Sequence, residues 1–546
     1  MGAPDAHFLI EARDIPDMEK AASAVETNIP NTLTKQTDTS PLLVTWSSPS
    51  DPTNPYNWPL PRKWATVLLT SLGGLVTLMS GPMLAPALDA ISTELSISSA
   101  EATMALSIYV LAFAFGPMVL APCSEVWGRK VVWVAGGSWY VLWNAVCGMS
   151  RGRGLLIAAR LMAGLGASAE FARPYNPPKI PYLPLKLPKP VTVIEQLRVW
   201  GTGILLPALS LTGEKVSGAI VADCFDSDER GKSIAVRSFL PLLGPAIGPL
   251  IGGVMVQQVS WRWLFYTLSI FAALLVVLFA LFLPETHAQT LLSRKAATLR
   301  KDTGKPFYAE KDISGMTIAA RLKITTLRPT VMLCTQPVIQ LAACLMGYQF
   351  GLLYIIHSTF ASMWIDQYGQ SHTASGLHYF AIVTGCLTAL LIEWWAMDAI
   401  WARLKASNGG VARPENRVPL MIPGTLLLPI GLLMYGWAAE KRAHWAVVDV
   451  GVGVLGCGYI LSTTAVQSYI VEAYLDYTAS GAAASQLPRN VFAFCFPVFA
   501  PSLYNSLGYG LGNTTLAAIA TVLGVPAPYI LWRFGECLRR RGKTIE

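Results

Sequence analysis

Long apolar runs alternate with short polar connectors along most of the chain. Each run is close to the ~20 residues that a helix needs to cross the ~30 Å hydrocarbon layer of a bilayer. The runs are continuous and do not alternate residue by residue, so they favour helices over a membrane β-barrel. The pattern predicts twelve membrane spans, at residues 64–84, 102–122, 131–150, 154–169, 233–256, 263–283, 331–355, 373–398, 418–438, 445–468, 487–507 and 512–533.

The predicted spans fall into two sets of six, separated by a polar stretch at 284–330. This stretch carries nine Lys or Arg residues and four Asp or Glu residues. The spacing predicts one six-helix bundle over 64–283 and a second over 331–533. A polar tail, 1–63, precedes the first bundle, and a basic tail, 534–546, follows the second.

Lys and Arg residues gather at alternate connectors between the spans. They lie before span 1, between spans 2 and 3, in the central stretch, between spans 8 and 9, and at the end of the chain. The exceptions are Arg151, Arg153, Lys441 and Arg442. Because basic residues are retained on the cytoplasmic side, we expect both termini and the central stretch to be cytoplasmic. Residues 1–50 lack a basic start followed by an apolar core, so the first span is expected to act as the insertion signal.

Composition agrees with a membrane protein and argues against other classes. Hydrophobic residues make up 53% of the 546 residues and charged residues only 14%, whereas an ordinary globular protein has ~25% charged residues. The net charge of +8 resides between the apolar runs, so no nucleic-acid partner is expected. The nine cysteines form no CxxC pair, so neither a disulfide framework nor a metal site is expected.

The sequence contains no Gly-rich Walker loop, no HExxH motif and no visible Ser-His-Asp set. We therefore expect no enzyme activity and no cofactor. Any active transport would draw its energy from a gradient and not from ATP.

One segment departs from the pattern. Span 4 breaks near Ser168, and residues 171–215 contain eight of the 37 prolines, a density that a helix does not tolerate. Without this segment, Gly154–Glu170 would join Val216–Asp223 in one span of ordinary length. We interpret the segment as the translation of an unspliced intron or as a recent insertion, and its presence could inactivate the protein. The alternative is a genuine cytoplasmic or re-entrant loop.

Between spans 2 and 3, a glycine is followed by an acid and then by Gly-Arg-Lys at the predicted cytoplasmic surface. These residues are Gly116, Glu125, Gly128, Arg129 and Lys130. The glycine allows two helices to approach closely, and the charged groups can form a latch between helices. The alternative is a basic loop with an incidental acid.

Arg160 lies inside span 4, where a charged side chain is costly and commonly functional. The alternative is an arginine near a helix end whose head group extends to the interface.

Span 5 carries a repeated glycine and proline pattern. Its members are Gly244, Pro245, Gly248, Pro249, Gly252 and Gly253. Glycines four residues apart lie on one helix face, which another helix can approach closely, and each proline removes a backbone hydrogen bond. The pattern indicates a bent hinge with a smooth face, the alternative being simple glycine-rich packing.

Together these motifs resemble those of the major facilitator superfamily, and in particular the twelve-span drug:proton antiporters of fungi. Further blocks that carry the resemblance are Asn54–Pro59, Trp261–Tyr266, Pro284–His287 and Gly409–Gly424. The resemblance implies an all-α integral membrane protein with twelve transmembrane helices in two six-helix bundles. It also implies a proton-coupled antiporter that exports toxic compounds or secondary metabolites, in which Arg160 is linked to proton coupling.

The resemblance further implies a location in the plasma membrane. The expected partners are the lipid bilayer, a small organic substrate and protons, and the expected state is a monomer. A proton-coupled importer or facilitator, and a non-transporting membrane receptor or scaffold, are the alternatives.

Polar residues within the spans are candidates for a substrate cavity. They are Tyr109, Asn144, Gln340, Tyr348, Gln349 and His357. An apolar cavity with few polar groups suits flat, greasy molecules. Because a buried carboxylate is the simplest proton switch, Glu125, Glu393 and Glu472 are the candidate proton carriers. For Glu393 and Glu472 the alternative is an acid at a helix end.

Overall fold

The computed structural model describes residues 42–48, 50–171, 224–225, 227–309, 318–409 and 413–542. Within these ranges the regular structure is almost entirely α-helical. Two short strands, β1 (Leu42–Leu43) and β2 (Phe307–Tyr308), pair in parallel. The proline-rich segment lies outside the described residues, except for Phe171 at its start.

Seven helices form the described part of the first half. They are α1 (Leu60–Met79), α2 (Leu88–Leu95), α3 (Ser99–Trp127), α4 (Arg129–Gly148), α5 (Arg153–Ala167), α6 (Ser227–Gln258) and α7 (Arg262–Phe282). A 3-10 helix at Pro82–Ala87 links α1 and α2. Ser98 and Glu101 form a reciprocal capping box at the start of α3, which fixes where that helix begins.

The second half follows a polar connecting helix, α8 (Ala288–Thr303). Its helices are α9 (Ile318–Thr335), α10 (Pro337–Tyr368), α11 (His372–Leu377), α12 (Tyr379–Ser407), α13 (Met421–Glu440), α14 (Trp445–Ala473), α15 (Thr478–Gly524) and α16 (Pro526–Arg541). A 3-10 helix at Pro414–Leu420 precedes α13.

Nine stretches of the described chain are long and apolar enough to cross a membrane. The last of them, Ser480–Arg541, is broken at Gly508, where φ is 71°. With this break, and with α4 and α5 added, the described helices are consistent with twelve crossings.

Two of the predicted spans differ at their starts from the helices of the structure. Span 7 was placed at 331–355, but the apolar helix begins at Pro337, because the proline ring holds Gln336 in an extended conformation. Span 11 was placed at 487–507, but α15 already begins at Thr478 and continues through Pro488.

The two halves each pack internally and also contact each other through several helices. In the first half, α1 packs on α6, and α4 packs on α5 and α7. In the second half, α13 packs on α14, and α10 packs on α15. Between the halves, α3 contacts α15, and α6 contacts α11 and α12. Of the helices that carry candidate residues, α3, α6 and α12 take part in these contacts between the halves.

The segment before α1 is attached to the central connection. β1 pairs with β2, and Lys295 on α8 forms an ion pair with Asp51 at 3.4 Å. Hydrogen bonds from the side chain and backbone of Thr53, and from the backbone of Ser47, hold the pKa of the Asp51 carboxyl well below its usual range. Asp51 is therefore charged at neutral pH and can retain Lys295.

Candidate functional site

Arg160 on α5 is completely buried, and its guanidinium is surrounded by neutral groups. It donates to the carbonyl of Ala105 at 3.1 Å and to the carbonyl of Ser80 at 3.1 Å. The guanidinium carbon lies 4.5 Å from the ring centre of Tyr109 and 5.7 Å from that of Phe265. No carboxylate among the described residues pairs with it. The interpretation as an arginine that reaches the interface is thus wrong.

Two other sequence candidates of the first half lie close to this arginine or on its neighbouring helices. The Tyr109 hydroxyl donates to the carbonyl of Thr77 at 3.2 Å, which links α3 to α1. The amide nitrogen of Asn144 on α4 donates to the carbonyl of Phe265 at 2.9 Å. The amide oxygen of Asn144 is buried without a partner in the described structure. Both residues connect helices as well as offering polar atoms.

Glu393 lies in the middle of α12, fourteen residues from each end. It is completely buried, and one carboxylate oxygen accepts a hydrogen bond from the hydroxyl of Thr464 on α14. The other oxygen has no hydrogen-bond partner among the described residues. The alternative that Glu393 is a helix-end acid among head groups is therefore wrong.

Glu472 has a different setting, one residue before the end of α14. It accepts a hydrogen bond from Nε of Arg417 at 2.7 Å and is partly exposed. Nearby, Glu415 pairs with Arg539 at the end of α16. Glu472 thus belongs to an ion-pair cluster at the helix ends, apart from the enclosed Glu393.

The polar candidate residues on α10 contact different parts of the second half. The Tyr348 hydroxyl donates to the carbonyl of Leu516 at 2.7 Å, and the Gln349 amide donates to Ser462 on α14 at 2.8 Å. The ring of His357 stacks parallel to that of Tyr379, and its Nδ1 is buried without a described partner. Gln340 is exposed near the start of the helix and bonds to the carbonyl of Cys334. The structure therefore gathers Gln349 and His357 inside the second half, but not Gln340.

Arg489 on α15 is a functional candidate that the sequence prediction missed. It lies eleven residues into the helix, whereas the predicted span placed it at its third residue. Its guanidinium carbon lies 4.0 Å from the ring centre of Phe350 on α10. It donates to the Tyr459 hydroxyl at 3.1 Å and to the Gln486 side chain at 2.9 Å. A correct start for α15 would have revealed a charge within the span.

The glycines of α6 form a closely packed face. A Cβ built on Gly244 would lie 3.0 Å from the backbone nitrogen of Met79, and one on Gly248 would lie 2.9 Å from the Met79 carbonyl oxygen. A Cβ on Gly252 would overlap the carbonyl of Met83. The same helix remains continuous through its prolines, which include Pro245 and Pro249. The predicted smooth face therefore packs on the first crossing.

Gly253, next to this face, packs against the second half. A Cβ there would overlap the carbonyl of His372, which belongs to the second half. The Thr373 hydroxyl also donates to the side chain of Gln257 at 2.7 Å. The end of α6 thus packs closely against α11.

The motif between α3 and α4 centres on Glu285, which follows α7. The backbone N–H of Arg129 donates to Glu285 at 3.0 Å, and that of Lys130 donates at 3.4 Å. Gly128 has a φ of 96°, and a Cβ there would overlap the Glu285 carboxylate. Gly116 on α3 lies against Ser168, which directly follows α5. The side chain of Glu125 lies outside the described ones, so its predicted role in the latch stays a prediction.

Comparisons with known proteins agree with this architecture. The family model of the Major Facilitator Superfamily matches residues 70–172 and 215–497. The part left unmatched between these ranges, 173–214, falls within the proline-rich segment that the sequence analysis set apart.

Two fungal relatives are similar over almost their full lengths. The chain is 37% identical to the "Probable efflux pump mfs2" of Aspergillus flavus, over 85% of this chain and 100% of that protein. It is 33% identical to the "Efflux pump vrtL" of Penicillium aethiopicum, over 93% of this chain and 92% of that protein.

Among solved structures, a D-xylose-proton symporter aligns with a TM-score of 0.57. The alignment covers 86% of this chain and 97% of that one, at 15% identity, so the likeness concerns the fold. With the helical architecture, the family match and the relatives in agreement, the chain belongs to the major facilitator superfamily and is a multi-pass membrane transporter of small solutes.

Proposed function

We propose that this transporter exports a small organic molecule from the cytoplasm in exchange for protons. The observation that carries proton exchange is the enclosed carboxylate of Glu393, which has one hydrogen-bond partner and one unpartnered oxygen in the described structure. Export is supported by the names of the two fungal relatives, both of which are called efflux pumps.

The physical argument rests on the cost of a charge in an enclosed site. An ionised carboxylate at the centre of a helix bundle is expensive unless it is paired or reaches water. Glu393 has no cationic partner among the described residues. A conformational change that admits water to one side would release the proton there, and closure would require that a proton be taken up again.

Arg160 supports this cycle from the first half. Its guanidinium joins Ser80, at the end of α1, to Ala105 on α3. A fixed cation between three helices keeps their spacing constant while the halves move. We assign it as the organising residue of proton coupling, and Glu472, with Arg417, as part of a helix-end clasp.

The glycine face of α6 supplies the sliding surface. Gly244, Gly248 and Gly252 allow this helix to lie directly on α1 and the 3-10 helix after it, while Gly253 abuts the second half. Small residues let helix backbones approach closely, and a face without side chains has none to displace when the halves move. We assign the contact of Gly128, Arg129 and Lys130 with Glu285 as the cytoplasmic latch that must open for the inward-facing state.

We further propose that the protein works as a monomer in the plasma membrane, with both termini cytoplasmic and without a nucleic-acid partner. The grouping of Lys and Arg at alternate connectors supports this orientation. The basic residues Arg539, Arg540 and Arg541 at the end of α16 belong to the same set.

The decisive experiment measures proton-coupled transport in proteoliposomes that contain the full chain. A compound that the protein exports is first identified by screening a deletion strain against a panel of toxic compounds, complemented with and without residues 171–215. We expect Glu393→Gln to retain exchange of unlabelled for labelled compound but to lose accumulation driven by a pH gradient. The matched control is Glu536→Gln, at an exposed acid of α16.

Proton-driven accumulation that survives in Glu393→Gln would contradict the assignment of Glu393. The importer alternative is tested by direction: in inverted vesicles that are acid inside, an exporter accumulates its compound, whereas a proton-coupled importer does not. A receptor or scaffold would show no exchange in either preparation.

A further inference from the structure

Arg489 is a half-buried cation of the second half that forms no ion pair with any described residue. Its two terminal nitrogens donate to Gln486 and to the Tyr459 hydroxyl, which are both neutral. Its Nε is buried and has no hydrogen-bond partner among the described residues. A guanidinium in such surroundings retains unused donor capacity, which a carboxylate matches well in charge and geometry.

Five described carboxylates of the second half have partners other than Arg489. Glu393 is bonded to Thr464, Asp449 to His378, and Glu472 to Arg417. Glu415 pairs with Arg539, and Glu440 accepts from the backbone at Tyr509 and Gly510. Thus neither Arg489 nor Arg160 has an ion-pair partner in the described protein.

The surroundings of Arg489 are aromatic. Phe350 lies under the guanidinium and stacks with Tyr459 at a centroid distance of 6.1 Å. Tyr354, one turn further along α10, packs edge-on against Phe350 at 4.9 Å. A flat apolar body placed beside these rings would gain the packing that aromatic pairs provide.

We propose that the exported molecule is an organic acid with a flat aromatic body, and that its ionised carboxylate binds to Arg489. This inference rests on the proposed export function and specifies the substrate class of that site. Arg489 is a binding residue in this scheme, and Phe350 and Tyr459 provide the surface for the ring.

The charge balance of such an exchange is favourable. Outward movement of one monoanion and inward movement of one proton together carry two positive charges inward. A membrane potential that is negative inside drives both movements. Transport of the acid should therefore respond to the potential more steeply than transport of a neutral compound exchanged for one proton.

The test compares 1-naphthoate with 1-naphthamide, which share the ring system and differ in charge, by equilibrium dialysis against the purified full chain. We expect naphthoate to bind at least about tenfold more tightly, since a charge-assisted hydrogen bond contributes that much. Arg489→Gln should abolish the preference, and Arg489→Lys should retain part of it. The matched control is Arg533→Gln, at an exposed arginine of α16.

Tyr459→Phe separates binding from scaffolding, because it removes a neutral partner and leaves the cation. If the role of Arg489 were only structural, both Arg489→Gln and Tyr459→Phe would lower the thermal stability of the protein. Both variants would then still bind naphthoate more tightly than naphthamide. Equal binding of the two probes, binding of neither, or a preference that persists in Arg489→Gln would overturn the proposal. If the preference holds but no exchange with protons is measured, the proposed coupling fails and the assignment of Arg489 stands.

Discussion

At the scale of single residues, the interior charges are the least expected feature of so apolar a chain. Arg160 is held by carbonyls, a hydroxyl and aromatic faces and has no described carboxylate partner. A planar guanidinium can serve these acceptors together because its donors diverge in one plane. An ammonium of the same charge cannot reproduce that geometry.

We therefore predict that Arg160→Lys lowers the rate of transport at least about tenfold, as expected when charge-assisted hydrogen bonds worth ~1.5–3 kcal/mol are lost. Proteoliposome uptake of an exported compound provides the measurement. Arg153→Lys, at an exposed arginine paired with Glu101, is the control and should transport normally. Normal rates in Arg160→Lys would show that only the charge matters.

Some of these residues could be predicted from the sequence and others could not. Arg160 could be found because it lies well within an apolar run. The setting of Glu393 could not be deduced, since burial of a mid-helix side chain depends on which face α14 covers. Arg489 escaped because the polar residues before Pro488 concealed the true start of α15.

At the scale of helices, α6 shows how small residues define a contact. Its glycines allow the backbones of two helices to meet, so a single methyl group would separate them. The spacing of four residues between these glycines was visible in the sequence, and it predicted a close contact with another helix. The identity of the partner helix was not visible, because glycine carries no side chain that could indicate a neighbour.

We predict that Gly252→Ala lowers the free energy of unfolding by about 1–3 kcal/mol, the range for overpacked sites, and impairs transport. The added methyl would overlap the carbonyl of Met83. Gly154→Ala is the control, since a Cβ there would meet open space. Thermal unfolding in detergent and transport in proteoliposomes measure the two effects, and equal behaviour of the variants would argue against a close contact.

At the scale of the whole molecule, the two halves are in close contact near the end of α6. Gly253 abuts His372, and Gln257 accepts a hydrogen bond from Thr373. This end lies at the opposite side of the bundle from Glu285. A transporter that opens alternately on its two sides must separate these residues once in each cycle.

We predict that joining residues 257 and 373 with a short thiol crosslinker, in the variant Gln257→Cys/Thr373→Cys, stops transport reversibly. The exposed native cysteines Cys334, Cys344, Cys495 and Cys537 are replaced by serine beforehand. The control pair, Trp437→Cys/Thr514→Cys, joins two helices of one half, whose side chains are 3.1 Å apart. Undiminished transport after complete crosslinking of the first pair would exclude separation at this end.

The pairing of β1 with β2 has a consequence for how the amino-terminal region behaves. Because Leu42–Leu43 and Asp51 are attached to the connection between the halves, that region is linked to two moving bodies and not to the first crossing alone. A reporter group placed just before β1 would therefore change its surroundings whenever the two halves move relative to each other. It would report on the transport cycle from a position far from the substrate.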